Sequence, residues 1–114
     1  MTDCLFCKMV AGEIKPAVVY ENEQVLAFRD IRPQAPVHVL VIPKRHIPTL
    51  DDLPADDAGL ASELLGAVQK VATLEGLEAA GYRTVINCGA DSGQEVYHLH
   101  LHVLGGRRMN WPPG

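Results

Sequence analysis

The amino-acid sequence predicts an α+β fold with a mostly antiparallel sheet of about five strands, one long helix and one short helix. Two observations lead to this class. One long segment carries apolar residues at helical spacing, and five short segments are rich in β-branched or alternating apolar residues. The 114 residues are enough for one hydrophobic core. We therefore expect a single domain spanning residues 1–114.

The first elements are a short helix and three strands. In CLFCKMVAGE the apolar residues recur at helical spacing, and Gly12 can end the helix. AVVYENEQVLAFRD predicts strands over residues 18–20 and 24–30, joined by a polar turn. After a loop with two prolines, VHVLVIP predicts a buried strand that ends at Pro43.

The longest element is a helix from Asp56 to about Leu77. One apolar stripe is formed by Leu60, Leu64, Val68 and Val71. Asp56 or Asp57 suits the N-terminus, where a carboxylate can accept from free N–H groups. Gly76 or Gly81 suits the C-terminus.

Two strands are predicted after the long helix. YRTVINC covers residues 82–88, and VYHLHLHVL covers residues 96–104. The loop GADSGQE separates them and carries two glycines. The tail GGRRMNWPPG is predicted to be irregular.

Charge and composition exclude several classes of function. The net charge is −4 and no basic run is present, which argues against nucleic acid but leaves a mononucleotide possible. No apolar run approaches the roughly 20 residues of a membrane span. The three cysteines do not suggest a disulfide framework, and the N-terminus lacks a signal pattern. We expect a cytoplasmic protein without membrane contact.

Three of the five histidines alternate in YHLHLHVL. In a strand, His98, His100 and His102 would share one face and stand about 6–7 Å apart stepwise, while the leucines face the core. The pattern allows a solvated strand face, a metal site or a catalytic site. Neutral imidazole is a nucleophile at pH 7, and burial keeps it neutral. A loop such as GADSGQEV can aim backbone N–H groups at an anion.

The second notable pattern is CLFC, with Cys4 and Cys7 three residues apart. The two thiols could be core residues, since free cysteine is often buried. A redox pair is less expected because the βαβ context is missing. Half of a zinc site is the third interpretation, and it needs two more ligands.

Taken together, these motifs resemble the histidine triad (HIT) family. His98-Leu-His100-Leu-His102-Val-Leu matches the motif that names the family. DIRPQAPVHVLVIPKRH, NCGADSGQEVYHLHLHVLGGR and the terminal WPPG resemble its Hint branch, the nucleoside phosphoramidate hydrolases. The resemblance covers essentially the whole chain. It implies a HIT-like fold and a homodimer whose sheets join across the two-fold axis.

The same resemblance implies a reaction and the residues that perform it. Hint proteins bind a purine nucleoside monophosphate and cleave the bond from its α-phosphorus to an amine or other leaving group. His100 corresponds to the nucleophile, which forms a nucleotidyl-histidine. His102 corresponds to the residue that contacts the phosphate and can exchange protons, and His38 to the histidine that supports the site.

The implied nucleotide-binding residues come from four segments. Asp30 corresponds to the carboxylate that accepts the ribose hydroxyls. The apolar walls around the base correspond to Phe6, Phe28 and Ile31. The phosphate contacts are expected around Asn87, Gly93, Gln94, Glu95 and Val96. Trp111, in the tail, is expected near the partner subunit's active site, where it would shape leaving-group preference.

Glu95 departs from the pattern, because many eukaryotic Hint proteins carry a serine there. An ionised carboxylate pointing at the phosphate would be repelled. We therefore expect Glu95 to face the leaving-group side and attract a cationic amine such as lysine, or to point to solvent.

Some bacterial proteins that resemble this chain hold zinc beside the triad. Their two cysteines pair with the histidine of the IPK-x-H motif and with the first triad histidine. The corresponding positions are Cys4, Cys7, His46 and His98. A structural zinc ion is therefore expected, with no organic cofactor, and His98 would be a ligand instead of a catalytic residue.

Two other functions stay open. Dinucleoside polyphosphate hydrolases and nucleotidylyltransferases also occur among histidine triad proteins. The transferase branch has glutamine where this chain has His102, and the GGR and WPPG tail favours the Hint branch. The third interpretation is a non-catalytic module that binds purine nucleotides or another protein.

Overall fold

The computed structural model describes residues 3–114 and has the predicted α+β class. The elements are α1 (Leu5–Val10), β1 (Val18–Glu21), β2 (Val25–Arg29), β3 (Val37–Pro43), α2 (Ala58–Leu74), β4 (Tyr82–Ile86) and β5 (Leu101–Gly105). Short 3₁₀ turns lie at Leu50–Asp52 and Ala90–Ser92. The five strands form one sheet in the order β1-β2-β3-β5-β4, and every neighbouring pair is antiparallel.

Helix α2 covers one face of the sheet. The side chain of Asp57 caps its N-terminus by accepting from the N–H of Leu60 at 3.0 Å. Gly76, with φ of +70°, ends it in the left-handed conformation that glycine adopts without strain. The core between helix and sheet consists of Val25, Ala27, Val39, Val41, Ile47, Leu60, Leu64, Ala67, Val68, Val71, Ala72, Leu77, Leu99, Leu101 and Val103.

The opposite face of the sheet is only partly covered. Helix α1 places Phe6 over part of it, and a smaller buried cluster forms from Phe6, Leu26, Phe28, Leu40 and Ile42. On this face Leu40 of β3 is paired with His102 of β5. The histidines therefore lie on the side of the sheet that α2 does not cover.

The last strand is shorter than the predicted residues 96–104. It begins at Leu101, so His98 and His100 lie just before it and only His102 lies within it. The reason is a different backbone partner, because the N–H of Leu99 donates to the carbonyl of Ile47 in a loop at 2.6 Å. The alternation of faces still holds, since Leu99, Leu101 and Val103 are all buried in the core under α2.

Among residues 3–114, no helix has both the length and the apolar character needed to cross a membrane.

Candidate active site and metal cluster

A pocket of about 310 Å³ opens on the face that α2 leaves free. This volume is near the lower end for small-molecule sites. Residues of α1, of β2 and the loop after it, and of the segment leading into β5 line the pocket. The lining residues are Leu5, Phe6, Met9, Pro16, Phe28, Arg29, Asp30, Ile31, Arg32, Leu40, Glu95, Val96, His100 and His102.

His38, on β3, is buried behind this pocket and its tautomer is set by its partners. The backbone N–H of Gln34 donates to its Nδ1 at 3.0 Å, so the proton of the neutral ring is on Nε2. That Nε2 lies 2.9 Å from Nδ1 of His102 and 3.5 Å from Oδ2 of Asp30. Burial lowers the pKa of His38 more than the Asp30 carboxylate raises it, so the ring is neutral at pH 7.

His102 receives this hydrogen bond at Nδ1, which leaves its own proton on Nε2. Burial lowers the pKa of His102 to about 4, and the nearby rings of His100 and His38 act in the same direction. Its Nε2 is buried and has no hydrogen-bond partner within residues 3–114. A buried donor without a protein acceptor is rare in native proteins and is available to an acceptor from a ligand or a water molecule.

His100 is fixed by the main chain beside it. Its Nδ1 donates to the carbonyl of His98 at 2.8 Å, so Nε2 carries the lone pair of the neutral ring. The ring centroid lies 5.0 Å from that of His102 and 5.3 Å from that of Phe6, which it meets nearly at a right angle. The pocket is thus lined by both a nucleophilic imidazole nitrogen and an imidazole N–H donor.

Asp30 follows β2 and is held by a local turn. Its Oδ1 accepts from the backbone N–H of Arg32 at 2.8 Å, which leaves Oδ2 facing His38. The carboxylate also lines the pocket and can accept from hydroxyl groups of a ligand there.

A second cluster lies next to the pocket and joins Cys4, Cys7, His46 and His98. One possible ligand atom from each residue lies within 4.8 Å of those of the others. The Nδ1 of His98 is 3.3 Å from Sγ of Cys4 and 3.6 Å from Sγ of Cys7, and Nδ1 of His46 is 3.2 Å from Sγ of Cys7. These four residues can hold a metal ion.

The donor set and spacing fit a tetrahedral ion. Metal–sulfur bonds of about 2.3 Å and metal–nitrogen bonds of about 2.05 Å at tetrahedral angles separate sulfur from nitrogen by about 3.6 Å. The Nε2 of His98 donates to the carbonyl of Pro43 at 2.8 Å, which turns the lone pair on Nδ1 toward the sulfurs. Burial lowers the pKa of His98, so the ring is neutral as a ligand must be. The pKa of the Cys7 thiol is raised, mainly by burial and to a smaller extent by neighbouring Cys4.

Comparison with known proteins identifies the family of this chain. The family model of the HIT domain matches residues 11–109. The chain belongs to the HIT domain family. The HIT fold predicted from the sequence is therefore confirmed, and it is the fold of HIT family hydrolases and nucleotide-binding proteins.

Three relatives illustrate the match. An uncharacterized HIT-like protein of Synechococcus elongatus is 53% identical over 98% of this chain and 97% of its own. A HIT family hydrolase from Legionella pneumophila Philadelphia 1 has a solved structure with a TM-score of 0.95, 56% identity and coverage of 98% of this chain and 100% of that one. The histidine triad nucleotide-binding protein from Candida albicans has a TM-score of 0.83, 33% identity and coverage of 96% and 83%.

Most of the predicted site residues of this HIT domain meet in one place. The pocket lining includes the predicted residues Phe6, Phe28, Asp30, Ile31, Glu95, Val96, His100 and His102. His38 contacts the pocket through His102. The four predicted metal ligands meet in the adjacent cluster. Asn87 follows β4 and is not among the lining residues, so its contact with phosphate stays a prediction.

The loop residues Gly93 and Gln94 bond to main-chain groups of the protein, and their contact with phosphate stays a prediction. The Gly93 N–H donates to the carbonyl of Ala90, and the Gln94 N–H to that of Gly89. The buried side chain of Gln94 donates to the carbonyls of Pro48 and Val96 and accepts from the N–H of Gly89. The two residues brace the loop, and neither lines the pocket.

Trp111 also lies away from this pocket. Its ring is 80% exposed and packs on the guanidinium of Arg83, whose carbon is 5.7 Å from the ring centroid. Arg83 also donates to the carbonyl of Asn110 at 2.9 Å. The tail therefore lies against β4, and its approach to a partner subunit stays a prediction.

Several residues of the site escaped prediction. Leu40 lines the pocket and could have been found, because it stands two residues after His38 in VHVLV and so shares its face. No sequence pattern indicated that Met9 and Pro16 would line the pocket. The Gln34 N–H that orients His38 is a main-chain group, and the sequence carries no information about where it points.

Proposed function

We propose that this protein is a purine nucleoside phosphoramidate hydrolase of the Hint branch. The observation that carries the proposal is the pairing of His100, whose Nε2 bears the lone pair, with the unpartnered Nε2–H of His102 in one pocket. A nucleophile beside a preorganised donor suits attack on a phosphoryl group, where charge builds up on oxygen.

The nucleotide fits the pocket in three parts. A phosphoryl oxygen accepts from Nε2 of His102, which supplies the acceptor that this atom otherwise lacks. The ribose hydroxyls donate to the Asp30 carboxylate, and the base lies against Phe6, Phe28 and Ile31. The name of the relative from Candida albicans, a nucleotide-binding protein, supports a nucleotide as the ligand.

The reaction proceeds in two displacements. Nε2 of His100 attacks the α-phosphorus, the P–N bond to the leaving amine breaks, and the amine takes a proton from solvent. Water then attacks the same phosphorus, the bond to His100 breaks, and the water loses a proton as the monophosphate forms. His102, neutral at pH 7 because its pKa is about 4, serves as a hydrogen-bond donor in both displacements.

His38 acts through His102. By donating to Nδ1 of His102 it holds that ring in the tautomer whose Nε2 carries a proton. The Gln34 N–H fixes His38 in turn, so the direction of the donor is set before substrate binds.

We also propose that the cluster of Cys4, Cys7, His46 and His98 holds a structural zinc ion. Two thiolates and two imidazoles form a closed tetrahedral set with no position for substrate. Such an ion ties α1 to the loop after β3 and to the segment before β5. Elemental analysis of protein grown with ample zinc tests this, and a metal content near zero would contradict it.

A homodimer is proposed as the assembly. Among the described strands β4 pairs only with β5, so its outer edge is available to a second sheet. Beside it lies an apolar pocket of about 120 Å³, and Leu65 of α2, which lines it, is 58% exposed. The tail with Trp111 lies on the same strand, which suits the prediction that it reaches the partner subunit.

We propose that residues 1–114 form one HIT domain that works in the cytoplasm. The three free cysteines suit a reducing compartment. The net charge of −4 argues against nucleic acid as a partner.

An assay with an adenosine phosphoramidate tests the proposed reaction. We expect release of AMP and, in rapidly quenched samples, a peptide containing His100 with one added adenylyl group. His100→Ala should abolish turnover and retain AMP binding. AMP binding without turnover in the native protein would favour the non-catalytic module, and cleavage of dinucleoside polyphosphates alone would favour that hydrolase branch.

A further inference from the structure

Phe6 lies between the metal cluster and the nucleotide pocket. It stands between Cys4 and Cys7 on α1, and its side chain is only 4% exposed. Its ring centroid lies 5.8 Å from that of His98 and 5.3 Å from that of His100, with both pairs close to perpendicular. The same ring forms part of the pocket wall. One side chain therefore contacts a cluster residue and the proposed nucleophile at once.

His98 makes a second connection. Its side chain belongs to the cluster through Nδ1, 3.3 Å from Sγ of Cys4. Its main-chain carbonyl accepts from Nδ1 of His100 at 2.8 Å. A shift of the segment around His98 therefore changes the direction in which the ring of His100 points.

Helix α1 is held partly by these contacts and partly by the packing of Phe6 in the apolar cluster with Phe28 and Leu40. It has six residues, too few to be stable without packing partners. Without a metal, the cluster holds α1 through sulfur–nitrogen contacts of 3.2–3.6 Å, which are weak hydrogen bonds. A metal ion replaces them with direct bonds to Cys4 and Cys7, on either side of Phe6.

We propose that Phe6 is a positioning residue that couples the metal cluster to the nucleotide pocket, so that metal and nucleotide each tighten the binding of the other. Metal bound to Cys4 and Cys7 holds the Phe6 wall in place before the nucleotide arrives, which removes the entropy cost of ordering it. Linkage then requires nucleotide to strengthen metal binding by the same factor. This inference rests on the proposed nucleotide pocket and zinc site.

Zinc release and AMP binding test the coupling in both directions. Zinc-loaded protein is mixed with a chromophoric chelator, with and without saturating AMP. AMP affinity is measured by calorimetry for zinc-loaded and chelator-treated protein. We expect AMP to slow zinc release by about tenfold, and zinc to tighten AMP binding by about the same factor. Circular dichroism checks that the metal-free protein keeps its fold, and the release experiment does not need that form to be stable.

Two variants on α1 separate positioning from simple loss of packing. Phe6→Ala should bind one zinc per chain and lose the effect of AMP on zinc release. Met9→Ala removes another lining residue of the same helix that does not lie between the two cysteines. It should weaken AMP binding equally with and without zinc, so the effect of AMP on release persists.

The outcomes distinguish the coupling through Phe6 from the proposed function on which it rests. AMP that binds equally well with and without zinc, and leaves zinc release unchanged, overturns the coupling but not the proposed function. A chain that binds no AMP in either form overturns the proposed function, and the coupling with it. Loss of the AMP effect in Met9→Ala as well as in Phe6→Ala overturns the role given to Phe6.

Discussion

At the scale of single residues, the site depends on which ring nitrogen of each histidine carries the proton. Main-chain groups settle this for three rings, through the carbonyl of Pro43 for His98, the carbonyl of His98 for His100, and the N–H of Gln34 for His38. The tautomer of His102 is set by His38, which donates to its Nδ1. The result is one lone pair and one N–H in the pocket, and within residues 3–114 no carboxylate bonds to His100, the proposed nucleophile.

The sequence predicted which histidines form the site but not these tautomers. Spacing and family motifs predicted His38, His100 and His102, and the structure brings these three histidines together. The tautomers depend on loop carbonyls and N–H groups, which every residue possesses. Gln94 illustrates the same limit, because its side chain bonds three main-chain groups that no pattern could identify.

The depressed pKa of His102 predicts an acid-sensitive fold. In the unfolded chain His102 has a pKa of about 6.5, whereas in the folded protein its pKa is about 4. Stability from this residue is therefore unchanged above pH 6.5 and falls as the pH drops toward 4, by about 3 kcal/mol in all. Urea unfolding of metal-free protein at pH 7.5 and 4.5 measures the loss. His102→Asn should lose about 2 kcal/mol less between the two pH values, and equal losses would contradict the prediction.

The predicted role of Glu95 in leaving-group preference can be tested directly. Its exposed side chain lines the proposed nucleotide pocket and also an adjacent pocket that includes Asp3 and Tyr97. We expect Glu95→Ser to lower kcat/KM for a lysyl phosphoramidate several-fold relative to that for a neutral amine, because the carboxylate attracts the cation. Competition assays with both substrates give the ratio. Glu13→Gln, a change of exposed charge outside the pocket, is the control, and an unchanged ratio in Glu95→Ser would exclude the role.

At the scale of elements, the periodicity of apolar residues predicted which helices and strands exist better than it predicted where they begin and end. The stripe of Leu60, Leu64, Val68 and Val71 placed α2 correctly, because seventeen residues give several turns of repeated signal. The strand β5 was predicted five residues too early. Residues 96–100 alternate as a strand does, but Leu99 bonds to Ile47 in a loop instead of to a neighbouring strand.

The cap of α2 gives a stability prediction for this element. Asp57→Ala should lower the free energy of unfolding by about 1 kcal/mol, because the Leu60 N–H loses its acceptor. Urea denaturation measures the change. Asp57→Asn retains a capping oxygen but removes the charge facing Arg45, so it should cost less. Asp56→Ala is the neighbouring control. An equal loss of unfolding free energy in Asp56→Ala would show that Asp57 is not the residue that caps the helix.

At the scale of the whole molecule, α2 covers four strands and leaves β4 at the rim. The helix contacts β1, β2, β3 and β5, while Tyr82 and Thr84 of β4 are exposed. An uncovered edge strand beside exposed apolar side chains is a surface that another chain can complete. The proposed homodimer uses this rim.

Leu65 tests the proposed dimer. A charge at this position would be buried without a partner in the assembly, so Leu65→Glu should convert a dimer to monomers at micromolar concentration. Light scattering after size exclusion measures the mass. Leu74→Glu is the matched control, because Leu74 is equally exposed and lies half a turn around the same helix. A native monomer, or equal effects of both changes, would count against this interface.

The sheet order also determines when the site can form during synthesis. His38 and His102 lie 64 residues apart in sequence and meet only through the pairing of β3 with β5, which encloses all of α2 and β4. Closing so long a loop is slow compared with forming a helix or hairpin. The proposed chemistry is therefore absent from the nascent chain until its last strand leaves the ribosome, and a chain shortened before Leu101 has no paired imidazoles to form the site.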